Sequence, residues 1–204
     1  MKQLLIATNN PGKLKEISSF LKHLPFEILS LGDVKIIDDI EEDGKTYAEN
    51  SLKKARFFME KSGLPVISDD GGLEIEALDN APGVHSRRWI GKDATEKDLI
   101  EHMRKVAKKL PGNNRTAWFR TVITFISPSG KILQQKGEVK GVIAKKPFLK
   151  LLKGYPYRSF FFIPEINKYY HENELTEGEM RLYNHRYKAI QKIIPQIIKE
   201  LGLR

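Results

Sequence analysis

The stretch "QLLIATNNPGKLKEISSFLKHL", residues 3–24, sets the fold class. An apolar run ends in the polar residues Thr8-Asn9-Asn10, which reads as a buried strand (residues 3–8) entering a loop. Asn10 followed by Pro11 is an N-cap with proline at the first helical position. Leu14, Ile17, Leu21 and Leu24 then recur at helical spacing, with Lys and Glu on the other face, until Pro25. A buried strand followed by an amphipathic helix begins an α/β arrangement.

The rest of the chain repeats the alternation. Residues 26–31 are a second strand, and "DDIEEDGK" (38–45) is an acidic loop. Thr46 and Glu49 have capping-box spacing, and Ala48, Leu52, Ala55 and Met59 align along one face of the helix they open. Gly63 closes that helix, and residues 64–68 form a short buried strand with Asp69-Asp70 at its end. "LEIEAL" alternates, compatible with a strand or with the start of a helix. Residues 79–94 read as an irregular loop, and Thr95 opens a helix bearing Leu99, Met103 and Val106. "RTAWFRTVITFIS" and "KILQQKGEVKGVIA" flank Pro128-Ser129-Gly130 as a hairpin, and "SFFFIP" (159–164) is a further strand. Thr176 and Glu179 cap a helix running through "MRLYNHRYKAIQKII", and Pro195 is expected to kink or interrupt the last helix. With 204 residues and neither repeat nor linker, one domain over 1–204 is expected.

Composition narrows the function. Apolar residues make up 40% and charged residues 30%, a globular balance. No apolar run approaches the roughly 20 residues that cross a bilayer, so no membrane partner is expected. The absence of cysteine excludes disulfides and thiolate metal sites, and fits a cytoplasmic protein. A net charge of +9 favours anionic partners, although a lysine-rich solubilising surface accounts for it equally. The lysines are scattered, with no Arg-aromatic interleaving, so nucleic acid is not expected.

Four segments carry candidate chemistry. Thr8-Asn9-Asn10-Pro11-Gly12-Lys13 places backbone N–H groups and a lysine at a helix start, which suits phosphate; an ordinary capped helix fits as well. Asp69 and Asp70 resist joint ionisation unless a cation joins them, and Mg²⁺ would use one or two such carboxylates plus phosphate oxygens. An Asp-Asp-Gly-Gly turn is the alternative. Glu41-Glu42-Asp43 is a second carboxylate group, either a metal ligand or a solvated loop. Asn184-His185-Arg186 offers base or phosphate recognition, or a structural histidine. Together they suit nucleoside triphosphate hydrolysis, and no Ser-His-Asp signature offers covalent catalysis instead.

In order and spacing these segments resemble the inosine triphosphate pyrophosphatase family, also termed XTP/dITP diphosphatases. The resemblance rests on "LLIATNNPGKLKEI", "EEDGKTYAENSLKKAR", "SDDGGLEIEALDNAPGVHSRRW", "FFFIPE" and "ELTEGEMRLYNHRYKAI", and spans almost the whole chain. It implies a long mixed β-sheet with flanking helices forming two lobes around a central cleft. It implies Mg²⁺-dependent hydrolysis of nucleoside triphosphates to monophosphate and pyrophosphate by a homodimer, on deaminated purines such as ITP, dITP and XTP. By position, Thr8, Asn9, Asn10 and Lys13 would hold the triphosphate. Asp70 would be general base and metal ligand, with Glu41 and Asp69 completing the metal site. Gly71, Tyr155, Tyr157, Arg158, His185 and Arg186 would contact substrate, the last two as a base-binding pair. A nucleotide-binding protein without catalysis and a nucleic-acid-binding protein are the alternatives.

The departures cluster in the base-reading half. Arg158 stands where the family pattern has Asp, Met180 where it has Lys, Asn184 where it has Ser, and Gly71 where it has Ser. These exchanges imply a rebuilt base pocket.

Overall fold

The computed structural model describes residues 2–203. Strand β1 (Lys2–Ala7) leads through the polar loop into helix α1 (Pro11–Leu21), and β2 (Phe26–Ser30) returns parallel to β1, pairing Leu4 with Ile28. Helix α2 (Tyr47–Ser62) then delivers β3 (Val66–Ile75) to the other edge of β1, again parallel, with Leu5 opposite Val66. Parallel neighbours require such helical crossovers. Further along, β4 is Ala81–Pro82, α3 is Glu96–Lys109, β5 is Thr116–Ile126 and β6 is Ile132–Ile143. Next come β7 (Phe161–Ile163), β8 (Lys168–Tyr169), α4 (Glu177–Tyr183) and α5 (His185–Glu200). The strands form one mixed sheet in the order β2-β1-β3-β5-β6-β7-β8, with β4 paired to β3.

The chain divides into two compact units. The first comprises the chain up to Asp70, Thr121–Gly137, and the chain from Arg186 onward; the second comprises Gly71–Arg120 and Glu138–His185. In the first unit the strand period of two separates two apolar clusters. Leu4, Ile6 and Ile67 pack with Ile17 and Leu21 of α1 and Ile190 and Ile193 of α5. Leu5, Ala7 and Val66 pack with Ala55 and Phe58 of α2. The second unit has its own core, in which Leu99 and Met103 of α3 join Phe119, Phe161, Tyr157 and Tyr170.

Local signals placed the helix ends well. Asn10 caps α1, accepting from the amides of Gly12 and Lys13, and Gly63 ends α2 with φ of 68°, its N–H donating to Met59 O at 2.8 Å. Thr95–Asp98 and Thr176–Glu179 are both reciprocal capping boxes. At α2 only half of the box forms: Thr46 accepts from the Glu49 amide, while the Glu49 carboxylate takes the Lys45 amide.

Elsewhere the structure corrects the sequence reading. The strand expected over 64–68 does not stop at the aspartates. β3 passes through Asp69-Asp70-Gly71-Gly72 as extended backbone to Ile75, so this segment is no turn. The second unit explains Gly72: a Cβ there would come within 2.5 Å of Gly83 O and closer still to Ser86 Oγ. Residues 79–94 contain β4 and a 3-10 helix, Gly83–Arg88, rather than only loop. The expected C-terminal helix breaks at Asn184, whose ψ of 117° ends α4 before α5 begins. Pro195 does not interrupt α5, which continues to Glu200. Of the expected face Ala48-Leu52-Ala55-Met59 only Ala55 is fully buried; the buried residues of α2 are Asn50, Ser51, Lys54, Ala55 and Phe58.

Gly72→Ala forces a methyl group against the backbone carbonyl of Gly83. It is expected to destabilise the protein by about 1–3 kcal/mol, read as a lowered urea midpoint with unchanged slope.

Candidate active site

The site of the first unit grows from the alternation of β3. Successive side chains leave a strand on opposite faces, so Asp69 and Asp70 cannot share one. Ile67 and Asp69 face α1 and α5, and Val66, Ser68 and Asp70 face α2. Although they leave opposite faces, both carboxylates feel Lys13, and Lys54 is drawn by both.

Asp69 is fully buried and held between two cations. Lys13 Nζ lies 2.7 Å from its Oδ2, and Arg186 Nε lies 3.1 Å from its Oδ1. Thr121 Oγ1 donates to Oδ1 and also lies 2.9 Å from Asp70 O. Burial alone would raise this carboxyl, but Arg186, Lys13 and the Thr121 hydroxyl outweigh it and hold it far below the usual carboxylate range. Arg186 reaches on to Glu16 at 3.1 Å. Arg186 thus belongs to the carboxylate cluster of the first unit, whereas the sequence reading paired it with His185 for the base.

Asp70 is also buried, and its carboxyl moves the opposite way. Burial pushes it up, the carboxylates of Glu42 and Asp69 push in the same direction, and Lys13 and Lys54 only partly offset them. Lys54 is itself buried, ion-paired to Glu42, and kept above its usual range because Glu42, Asp70 and Asp69 outweigh its desolvation. A hydroxyl chain fixes α2 against β3: Ser51 Oγ donates to Thr124 Oγ1 at 2.7 Å and Ser68 Oγ donates to Ser51 O at 2.6 Å.

The remaining expected phosphate ligands are partly committed. Thr8 is buried and its Oγ1 accepts from the Asn10 amide at 3.2 Å. The Asn10 carboxamide oxygen serves the helix cap, and Asn9 Nδ2 bonds Asp39 at 3.2 Å. Glu41 is exposed, and it is Glu42 that joins the Lys54–Asp70 group. Sequence reasoning named the Glu41-Glu42-Asp43 group but missed Lys54, Glu16 and Thr121. A lysine at the centre of a buried helical stripe was the one available signal.

The second unit holds an aromatic and basic cluster. The Arg158 guanidinium lies 3.9 Å from the Tyr155 ring centroid and 4.6 Å from that of Tyr170. The Tyr170 hydroxyl meets His185 Nδ1 at 2.9 Å, and the His185 ring stacks on Phe119 at 5.4 Å and 19°. Tyr157, expected at the substrate, is instead a core residue: it is buried, and its hydroxyl donates to Ser86 O at 2.6 Å. Gly71 opens this unit within β3, half-buried, and Met180 packs partly buried against the apolar core.

Residues 4–196 match the Ham1 family. The dITP/XTP pyrophosphatase of Geobacter sulfurreducens is 42% identical over 165 residues, 81% of this chain and 82% of that protein. That of Thermoanaerobacter pseudethanolicus is 39% identical over 199 residues, 98% of each chain. Among solved structures, a HAM1 protein from Coxiella burnetii superposes with a TM-score of 0.81 at 30% identity, covering 98% of this chain and all of that one. The Staphylococcus aureus Ham1 protein gives 0.80 at 27% identity, again over 98% of this chain and all of the other.

Asp69→Asn leaves Lys13 and Arg186 facing a neutral group, and is expected to cost about 3–5 kcal/mol in denaturant unfolding. Asp70 behaves oppositely. Its folded carboxyl binds a proton more readily than an unfolded one at about 3.9, so wild-type stability falls as pH rises from there through the higher folded value. Asp70→Asn escapes that fall. In chelator-treated protein it is expected to melt above wild type at neutral pH, with the difference vanishing in acid.

Proposed function

Because the chain belongs to the Ham1 family, we propose that it is a nucleoside triphosphate pyrophosphohydrolase acting on deaminated purine nucleotides, ITP, dITP and XTP. Water adds to the α-phosphorus, the bond from that phosphorus to the α–β bridging oxygen breaks, and monophosphate and pyrophosphate leave. The observation that carries this reading is the division of the aspartate pair: one carboxylate locked in ion pairs, its neighbour raised and set beside a buried lysine.

Asp70 is the general base. A carboxyl raised above its ordinary range is a better proton acceptor, and it takes the proton of the attacking water. Lys13 and Lys54 supply fixed positive charge for the phosphates, and the positive end of α1 adds to it. Asp69 positions Lys13 and does not itself meet the substrate. Its pairing with Arg186 and Thr121 keeps the lysine at one place on the strand.

The residues also fit a divalent cation. Among the described residues no three His, Cys, Asp or Glu side chains are grouped to hold a metal on their own. Two neighbouring hard carboxylates, Asp70 and Glu42, suit Mg²⁺, which takes one or two carboxylates and completes its shell with phosphate oxygens and water. When bound, it would neutralise phosphate charge and relieve the mutual repulsion of the two carboxylates. In the second unit, His185, Tyr155 and Arg158 are the groups suited to a flat heterocyclic base. Among the described residues no helix is long and apolar enough to cross a membrane.

Purified protein with Mg²⁺ and ITP or XTP is expected to release pyrophosphate rather than orthophosphate. Asp70→Asn should lower the rate by about 10²–10⁴-fold. Chelation should abolish turnover and added Mg²⁺ restore it. A folded wild-type protein that releases no pyrophosphate from any purine triphosphate overturns the assignment.

A further inference from the structure

The segment between β6 and β7 presents a surface that lies outside the apolar cores and outside the candidate site. Leu149 is fully exposed and Leu151 is 42% exposed, two positions apart on one loop. Lys145, Lys146, Lys150 and Lys153 flank them and are all exposed, and no Asp or Glu stands between Glu138 and Glu165. The leucines do not hang on slack chain. The Phe148 amide donates to Ser159 O at 2.7 Å and Lys150 O accepts from Ser159 Oγ at 3.2 Å, so the backbone is tied on both sides of Leu149. Lys146 O accepts from the Tyr169 hydroxyl at 3.1 Å, and Leu152 O accepts from the Tyr155 amide at 3.0 Å. Phe148 turns inward onto Tyr169 and His171, with ring centroids 5.6 and 4.7 Å away. One apolar side chain thus anchors the loop while the next is presented to solvent. Acids on other elements meet the base of the loop: Glu96 accepts from the Gly154 amide at 3.0 Å, and Glu172 and Glu174 act on the buried His171.

A single exposed leucine is ordinary. Two among four lysines, on an anchored backbone, make an apolar tip in a cationic surround. Ile37 gives the contrast: it is 96% exposed but is followed by Asp38 and Asp39. Apolar burial combined with attraction to negative charge is the chemistry of an element lying at the surface of an anionic bilayer. Nucleic acid would satisfy the lysines, but it binds by stacking on aromatic faces, and the Phe148 ring faces inward. A folded protein partner would need an acidic hollow shaped to the protruding tip, whereas lipid headgroups yield to it. The sequence expectation of no membrane partner rests on the length of apolar runs, which governs crossing a bilayer and not resting on one.

We propose that loop 145–153 docks the protein reversibly on an anionic lipid surface, with Leu149 and Leu151 entering the boundary between headgroups and acyl chains while the four lysines meet the lipid phosphates. The inference goes beyond the hydrolase reading and does not depend on it. The contact is weak and salt-sensitive: two leucines bury less apolar area than one acyl chain, and a single myristoyl chain alone gives only marginal binding. It concentrates the protein at a surface rather than anchoring it there.

The test is co-sedimentation of the full chain with phosphatidylcholine vesicles, with and without phosphatidylglycerol, over a range of ionic strength. Wild type should sediment with the anionic vesicles only, and less of it as salt rises. Leu149→Ser should weaken binding about tenfold or more. Each Lys→Gln exchange in the loop should weaken it roughly fivefold. Ile37→Ser, at a position almost as exposed but beside acids, should leave binding unchanged. Leu149→Trp keeps an apolar side chain, so it should bind as wild type does and shift its emission to the blue on anionic vesicles. Wild type that stays in the supernatant with anionic vesicles overturns the inference. Sedimentation that Leu149→Ser leaves unchanged traces to the net charge of +9 and overturns it as well. RNA or an acidic protein captured through these residues, while vesicles capture nothing, does the same.

Discussion

The buried chain of charges Lys13–Asp69–Arg186–Glu16 is the constraint on which the first unit depends. It joins α1, β3 and α5 through side chains almost entirely withdrawn from water. Such a chain is costly to desolvate and is held in place only because every member is met. Lys13 and Glu16 lie one turn apart on α1, so the helix docks with both ends of the network in register. Arg186 stands at the first turn of α5, where the break at Asn184 resets the chain direction. Moving any one element would leave a buried charge unmatched, which gives the arrangement more geometric definition than the surrounding Ile and Leu contacts supply.

That rigidity leaves Asp70 to do something different. Two adjacent residues with the same side chain lie in opposite electrostatic surroundings because a strand sends them to opposite faces. One is drawn far down by its two cations and the other is raised by burial and by neighbouring carboxylates. Pairs of like groups pushed apart in this way mark a division of labour between a structural anion and a reactive one. In the proposed reaction, the stability that Asp70 withholds at neutral pH is the cost of keeping a general base ready.

Much of the scaffold was legible because its signals are local. Asn10-Pro11, Gly63, Thr95–Asp98 and Thr176–Glu179 announce helix ends within a few residues of themselves. What escaped depends on partners distant in the chain. Asp-Asp-Gly-Gly has the composition of a turn, and only the approach of Ser86 and Gly83, more than ten residues away, shows why a strand here carries glycine at 72. Arg186 finds Asp69 from 117 positions away, so its neighbour His185 was a misleading guide to its role. Lys54 was readable in principle. A lysine between Ser51, Ala55 and Phe58 on a buried stripe needs an anion, but the more apolar Ala48-Leu52-Met59 face drew attention from it. Tyr157 carries the composition of a binding loop and spends its hydroxyl on Ser86 O.

The carboxyls of two neighbouring aspartates are shifted to opposite sides of the ordinary range. Site-resolved carboxyl ¹³C NMR of chelator-treated protein, assigned with Asp69→Asn and Asp70→Asn, follows each directly as pH falls. The Asp69 carboxyl is expected to stay ionised through the ordinary aspartate range for as long as the fold persists, while Asp70 takes up its proton above that range. Both groups titrating together near the ordinary value, or Asp69 protonating before Asp70, would contradict it.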